Sequence, residues 1–317
     1  MGADVNDKDT DGCTVMHDAV TKGRREMVKY LVEMGANVNG KKTDGWTLLH
    51  DAVAEGTLEM VKYLVENGAD VKSESTDGWT VLHYAVSYSS LQIVIYLVEM
   101  GADVNGKKTD GWTVLFHAVI EGTLEMVKYL VEHGADVNGK DNEGWTVLHY
   151  AVSEGTLDII KYLVEKGADV NGQDTHGRTV LHYAVTKGTL EIVKYLVEQG
   201  ADVTAVTEDR EETIKFLVER GADVNGRDTD GKTVLHAAVI KDSLEMVEYL
   251  VEKGADVNGT DVNGSTVLHT AVAEGTFETV KYLVEHGAGV NGKMIDGWTV
   301  LHTAFTKATP EIVKYLV

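Results

Sequence analysis

Threonine and histidine recur together along this chain, three residues apart. The pair occurs eight times, as Thr14/His17, Thr47/His50, Thr80/His83, Thr146/His149, Thr179/His182, Thr233/His236, Thr266/His269 and Thr299/His302. A hydroxyl and an imidazole at that spacing could do acid–base or nucleophilic chemistry. Such chemistry needs groups of different kinds converging on one place, and a pair copied into every repeat converges on nothing. Zinc needs four ligands about 2.0–2.3 Å from one point, whereas equivalent side chains on stacked helices lie roughly 8–10 Å apart. The single cysteine, Cys13, adds no cluster and allows no internal disulfide. The "GADVNG" segments lack a following Gly-Lys-Ser/Thr and are not phosphate loops. No catalytic residue, metal site or cofactor is expected. The pair reads instead as a helix start, in which the threonine caps and the histidine shares its hydrogen bond and ties the helix to the loop. Phe116 replaces the histidine in one copy, so that copy moves the polar bond elsewhere or loses it.

The elements that carry these pairs follow from a fixed period. Thr14, Thr47, Thr80, Thr113, Thr146 and Thr179 are 33 residues apart, as are Thr233, Thr266 and Thr299. The step from Thr179 to Thr233 is 54, so one copy is short by 12 residues. A period of this size signals a solenoid whose units bury their cores against one another.

Residues 42–72 serve as the pattern. Asp44-Gly45 is turn chemistry for the tip of a hairpin-like finger. Thr47 caps a first helix, Leu48 to Ala54, in which Leu49, Ala52 and Val53 recur at helical spacing and face neighbouring copies. Gly56 breaks it, and Thr57 caps a second helix with Glu59 in its first turn. Met60, Val61, Leu64 and Val65 form its buried stripe, and Gly68 ends it in the left-handed region. The break glycine is missing at Ser89, Asp209, Asp242 and Ala308.

The array resembles the ankyrin-repeat family. "DGWTLLHDAVAEGTLEMVKYLVENGADV", Asp44 to Val71, carries the resemblance, and the pattern covers nearly the whole chain. The family's usual TPLH stands here as TVLH or TLLH, and Pro310 is the only proline. The resemblance implies an all-α ankyrin-repeat solenoid of helix-turn-helix units with short hairpin-like fingers, one unit shortened by 12 residues. First helices and fingers line a concave face, and second helices form the back. The register gives six units over 1–203, a shortened unit over 204–227 and three units over 228–317, the last truncated. Adjacent units at helix-packing distance span on the order of 80–100 Å. Both ends, "MGADVN" and "EIVKYLV", read as cut from a longer array.

Four consecutive copies place tryptophan at one finger position: Trp46, Trp79, Trp112 and Trp145. Arg178, Lys232 and Ser265 follow there, then Trp298. In the family this position commonly contacts partners. Two readings stand side by side: a ladder of indoles packed finger to finger, and a strip of binding anchors. The position after the histidine varies as well, with Tyr84, His117, Tyr150 and Tyr183 in the third to sixth copies, and Tyr88 and Ile120 lie further along the same helices. These positions change while "LEMVKYLVE" stays nearly constant. The expected protein-binding set is therefore Trp46, Trp79, Tyr84, Tyr88, Trp112, His117, Ile120, Trp145, Tyr150 and Tyr183.

A net charge of −22 argues against nucleic acid and anionic membranes. It favours a protein partner with a basic or apolar surface. No apolar run is long enough to span a bilayer, and no basic-then-apolar leader opens the chain. One cysteine suits a reducing compartment. The expectation is a monomeric, non-enzymatic scaffold in the cytoplasm or nucleus. The rival readings are a structural spacer, and the targeting module of an ankyrin-rich bacterial effector acting in the host interior.

The shortened copy lacks its finger and the start of its first helix. Thr207 is expected to cap its surviving second helix, with Glu208 and Asp209 in the first turn and Ile214, Leu217 and Val218 buried. The loss is either a tolerated copying error or the origin of a groove or kink.

Overall fold

The structure, a computed structural model, describes residues 4–88, 90–121, 123–203, 211–307 and 310–317. These form two compact units, Met1–Tyr183 and Ala184–Val317. Apart from short finger bridges, the regular elements among the described residues are α-helices.

In the first unit each repeat gives a first helix of seven or eight residues and a second helix of nine, for example Leu48–Ala54 with Leu58–Glu66. Val81–Ser87 pairs with Leu91–Glu99, and Val114–Glu121 with Leu124–Glu132. First helices stack on first helices: Leu48–Ala54 packs on Val15–Thr21 before it and on Val81–Ser87 after it. Second helices stack likewise, Leu58–Glu66 on Leu91–Glu99. Leu49, Ala52, Val53, Met60, Val61 and Leu64 are buried as the periodicity requires, while Val65 is only half-buried. A two-helix unit has no interior of its own, so the core is the seam between repeats.

In the second unit Val234–Ile240 with Leu244–Glu252, Val267–Glu274 with Phe277–Glu285 and Val300–Lys307 with Pro310–Leu316 repeat the design. The second helix of the shortened copy, Glu211–Glu219, packs on Leu190–Glu198. Ile214 and Leu217 are buried in it and Val218 is half-buried. Tyr249 donates its hydroxyl to the Lys215 carbonyl at 3.2 Å. The capping role expected of Thr207, and the first-turn roles of Glu208 and Asp209, lie outside the described residues. So do the glycine-position substitutes Ser89 and Ala308. Asp242 is described and takes φ 54°, the left-handed region where most copies place glycine. Its Oδ1 accepts from the Thr276 backbone N–H at 3.1 Å, which holds the turn against the next repeat.

The fingers are narrow hairpins closed by single antiparallel bridges such as Lys41 to Thr47 and Glu74 to Thr80. Tips of successive full-length repeats hang on one another, as the Thr76 N–H donates to the Asp44 carbonyl at 2.8 Å. That contact explains the finger glycine. Gly45 has φ 83°, and a Cβ there would stand 2.9 Å from the Thr76 nitrogen.

Candidate functional site

The finger meets the first helix through the Thr-x-x-His pair. In the second repeat Thr47 N–H donates to His50 Nδ1 at 3.2 Å, and Thr47 Oγ1 lies 2.8 Å from the same atom. Nδ1 therefore accepts, and the ring proton sits on Nε2. Nε2 donates to the Trp79 carbonyl of the next finger at 3.3 Å. His83 does the same to Trp112 at 3.4 Å. In His17, His149, His236 and His269 the corresponding nitrogen is buried facing the Gly40, Arg178, Ser265 and Trp298 backbones, outside hydrogen-bond geometry. Burial pushes these imidazoles below their ordinary value, His50 to about 4 and His83 to about 3. The pair is a structural device of the helix start, and at His50 and His83 it also ties one repeat to the next.

The copy with Phe116 has lost this tie. Phe116 is fully buried, and Thr113 Oγ1 has no partner. Both ring nitrogens of the adjacent His117 are also buried without partners, and burial lowers that imidazole to about 4.

On this frame the four tryptophans form a zigzag in which no indole stacks directly on the next. Each wedges against the residue following the histidine, in its own repeat or the one after. Trp46 meets Tyr84 at 4.4 Å between ring centres, and Tyr84 meets Trp79 at 4.7 Å. Trp79 meets His117 at 4.8 Å, and His117 meets Trp112 at 5.2 Å. Trp112 and Trp145 each meet Tyr150 at 5.0 Å, and Trp145 meets Tyr183 at 4.4 Å. Mostly tilted and edge-on contacts of this kind suit the aromatic quadrupole.

Polar side chains close both ends of the row. Trp46 Nε1 donates to Asp51 Oδ1 at 2.7 Å, and Lys42 bridges the same carboxylate at 2.8 Å. At the other end Tyr183 donates to Asp174 at 2.8 Å, and Arg178 pairs with that carboxylate and covers the Tyr183 ring. Burial works to raise Asp174, but hydrogen bonds from the Arg178 backbone, Tyr183, the His176 backbone and the Arg178 side chain outweigh it and hold the group at about 2. Tyr183 is pushed up to about 12, by burial first and then by that carboxylate.

Eight of the ten expected binding residues belong to this one row. Trp46, Trp79, Trp112, Trp145, Tyr84 and Tyr150 are half-buried. His117 and Tyr183 differ from the expectation of exposure: they are 4% and 8% exposed, His117 lying between Trp79 and Trp112 and Tyr183 between Trp145 and Arg178. Ile120 is half-buried and Tyr88 is 54% exposed, both outside the ring contacts. Sequence reasoning missed Lys108. Its ammonium lies 4.3 Å from the Trp79 ring centre and 5.3 Å from that of Trp112, with Asp110 Oδ2 at 3.1 Å. The available signal was a lysine four residues before a finger tryptophan, present at Lys42 and Lys108.

Family models of ankyrin repeats match the chain in overlapping windows. The three-copy model covers residues 1–75, 35–110, 67–141, 105–174 and 138–207. The many-copy model covers 203–251, 235–284 and 271–317. The chain belongs to the ankyrin-repeat family. Ankyrin repeats are generally protein–protein interaction modules and non-enzymatic scaffolds. No curated protein matches the chain. Among the described residues no helix is long and apolar enough to cross a membrane.

Proposed function

We propose that this chain is a non-enzymatic scaffold that binds a partner protein across the finger and first-helix surface of the second to sixth repeats. One observation carries the reading. Each of four consecutive indoles is clamped by side chains of two repeats while remaining only half-buried. Aromatic anchors held in one position lose little entropy when a partner covers them. Their variation between copies, beside near-constant second helices, fits a surface shaped for one partner. Tyr88 and Ile120 extend the surface beyond the row, whereas His117 and Tyr183 support it from beneath.

The charge of −22 selects a basic or apolar partner surface and repels acidic ones. The lone cysteine fits a reducing intracellular compartment, and the register division at 203 and 227 places the binding repeats ahead of the shortened copy. The test is affinity capture with this chain beside a version carrying Trp79→Ala, Trp112→Ala and Trp145→Ala. A partner held by the first and lost by the second, at equal helix content, supports the reading. A partner held equally by both, or no captured protein at all, favours a spacer.

A further inference from the structure

Between Trp79 and Trp112 the finger carries its own cation. Lys108 lies over both rings, its side chain only 11% exposed, with Asp110 as counter-charge and the His117 ring contacting both indoles. The slot one repeat earlier, between Trp46 and Trp79, has the same walls. Tyr84 contacts both indoles there as His117 does in the next. The finger sequence differs at the decisive position. Where the flanking fingers read Lys41-Lys42 and Lys107-Lys108, this one reads Glu74-Ser75.

That change removes the cation that this finger would itself supply, although each indole already meets one from a neighbouring finger or its own, Trp46 from Lys42 at 5.7 Å and Trp79 from Lys108 at 4.3 Å, both paired with carboxylates, Asp51 and Asp110. Ser75 Oγ takes the Trp79 backbone N–H at 3.1 Å, the task that Asp110 performs for Trp112. The Asp77 carboxylate consequently accepts no hydrogen bond and pairs with no cation among the described residues. The Tyr84 hydroxyl has no hydrogen-bond partner among the described residues either, whereas Tyr150 and Tyr183 donate to Asp141 and Asp174, which stand at the position of Ser75. Glu74 is exposed on the same finger.

We propose that the slot between Trp46 and Trp79 receives a lysine side chain of a partner protein, its ammonium taking the place that Lys108 fills one repeat later. This rests on the scaffold reading above and adds the chemistry of the residue recognised. Two indole faces attract the cation, Asp77 supplies the counter-charge, and Tyr84 Oη offers an acceptor. A neutral side chain gains neither the cation–π attraction nor the charge pairing.

The experiment titrates the whole chain with a peptide of four lysines spaced by Gly-Ser, and with the same peptide acetylated on every lysine. The five indole N–H signals are followed by nuclear magnetic resonance, after assignment by single Trp→Phe changes. The expected result is saturable shifts concentrated at Trp46 and Trp79, and binding weakened by about tenfold on acetylation, the scale of one or two partly desolvated cation–π contacts. Ser75→Lys supplies the missing cation from within, as Lys108 does naturally, and should weaken peptide binding by about tenfold on the same grounds. Asn67→Lys adds equal charge at a position that reads Lys166 and Lys253 in other copies, and should leave binding within about twofold. Lys108→Ser should open a second slot and bring the Trp112 signal into the response. Equal effects of Ser75→Lys and Asn67→Lys, or shifts centred on Trp298, overturn the slot. If Ser75→Lys has no effect while Tyr88→Ala abolishes binding, the slot fails and the binding surface stands. If neither substitution matters, both fail.

Discussion

The Nε2 of His50 donates to the carbonyl oxygen of Trp79, 29 residues further along, at 3.3 Å. One imidazole thereby joins the helix start of one repeat to the finger of the next. The bond needs the proton on Nε2 and a bare Nδ1, because Nδ1 accepts from the Thr47 backbone. A second proton would face that N–H directly.

Acid should therefore loosen the array. His50 and His117 are lowered to about 4 and His83 to about 3, chiefly by burial. A base whose folded value is depressed takes its proton more readily when unfolded, so the contribution of each imidazole to stability falls as pH drops through about 6.5 and is fully lost only below its folded value. For His50 alone the loss is on the order of 3 kcal/mol by pH 4. Urea unfolding at pH 7.5, 6 and 5 measures it, and a midpoint that does not move over that range contradicts the assignment.

Thr80 and Thr113 occupy the same position in adjacent repeats with opposite bonding. Thr80 Oγ1 meets His83 Nδ1 at 2.8 Å, whereas Thr113 Oγ1 is buried without a partner. Thr80→Val should cost about 1–2 kcal/mol, and Thr113→Val should be near neutral or stabilising. Thermal unfolding of the two variants side by side decides this. Equal losses would mean that Thr113 has a partner in solution.

Gly45 and Gly56 both hold positive φ, 83° and 69°, but only Gly45 abuts another backbone. Gly56→Ala should cost about 1–2 kcal/mol, the left-handed penalty alone. Gly45→Ala must also displace the next finger and should cost at least about 1 kcal/mol more. Denaturant midpoints of both variants give the comparison, and equal costs would show that the fingers yield freely.

Trp112 and Tyr88 separate structure from recognition. Trp112 touches Phe116, His117 and Tyr150, so Trp112→Ala should lower both the melting temperature and partner affinity. Tyr88 is 54% exposed and outside the ring row, so Tyr88→Ala should leave melting unchanged and cost about 1–2 kcal/mol of affinity. Calorimetry of unfolding and of binding reads the two effects independently. Unaltered affinity in both variants moves the partner elsewhere.

Much of the fold was legible because the repeat writes its local rules many times. Gly45 and Gly68 mark positive φ, and Leu49, Val53, Met60 and Leu64 mark the seam, since helical spacing alone assigns a face. The Thr-x-x-His tie was legible for the same reason: cap and ring lie within one turn. Val65 was misjudged because the edge of an apolar stripe is set by what lies against it.

The chain alone also determined that something departs from repetition at Trp46, Trp79, Trp112 and Trp145, and that Phe116 breaks the histidine series. Only the tertiary structure decided what those departures do. His117 and Tyr183 share a sequence position with Tyr84 and Tyr150, yet they are buried where the other two are half-open, because exposure there depends on the side chains of the neighbouring repeats. Lys108 and Ser75 likewise differ by one residue type in the sequence. That Lys108 meets two rings at once follows from two indoles 33 residues apart in the chain being brought to either side of a single ammonium by stacking.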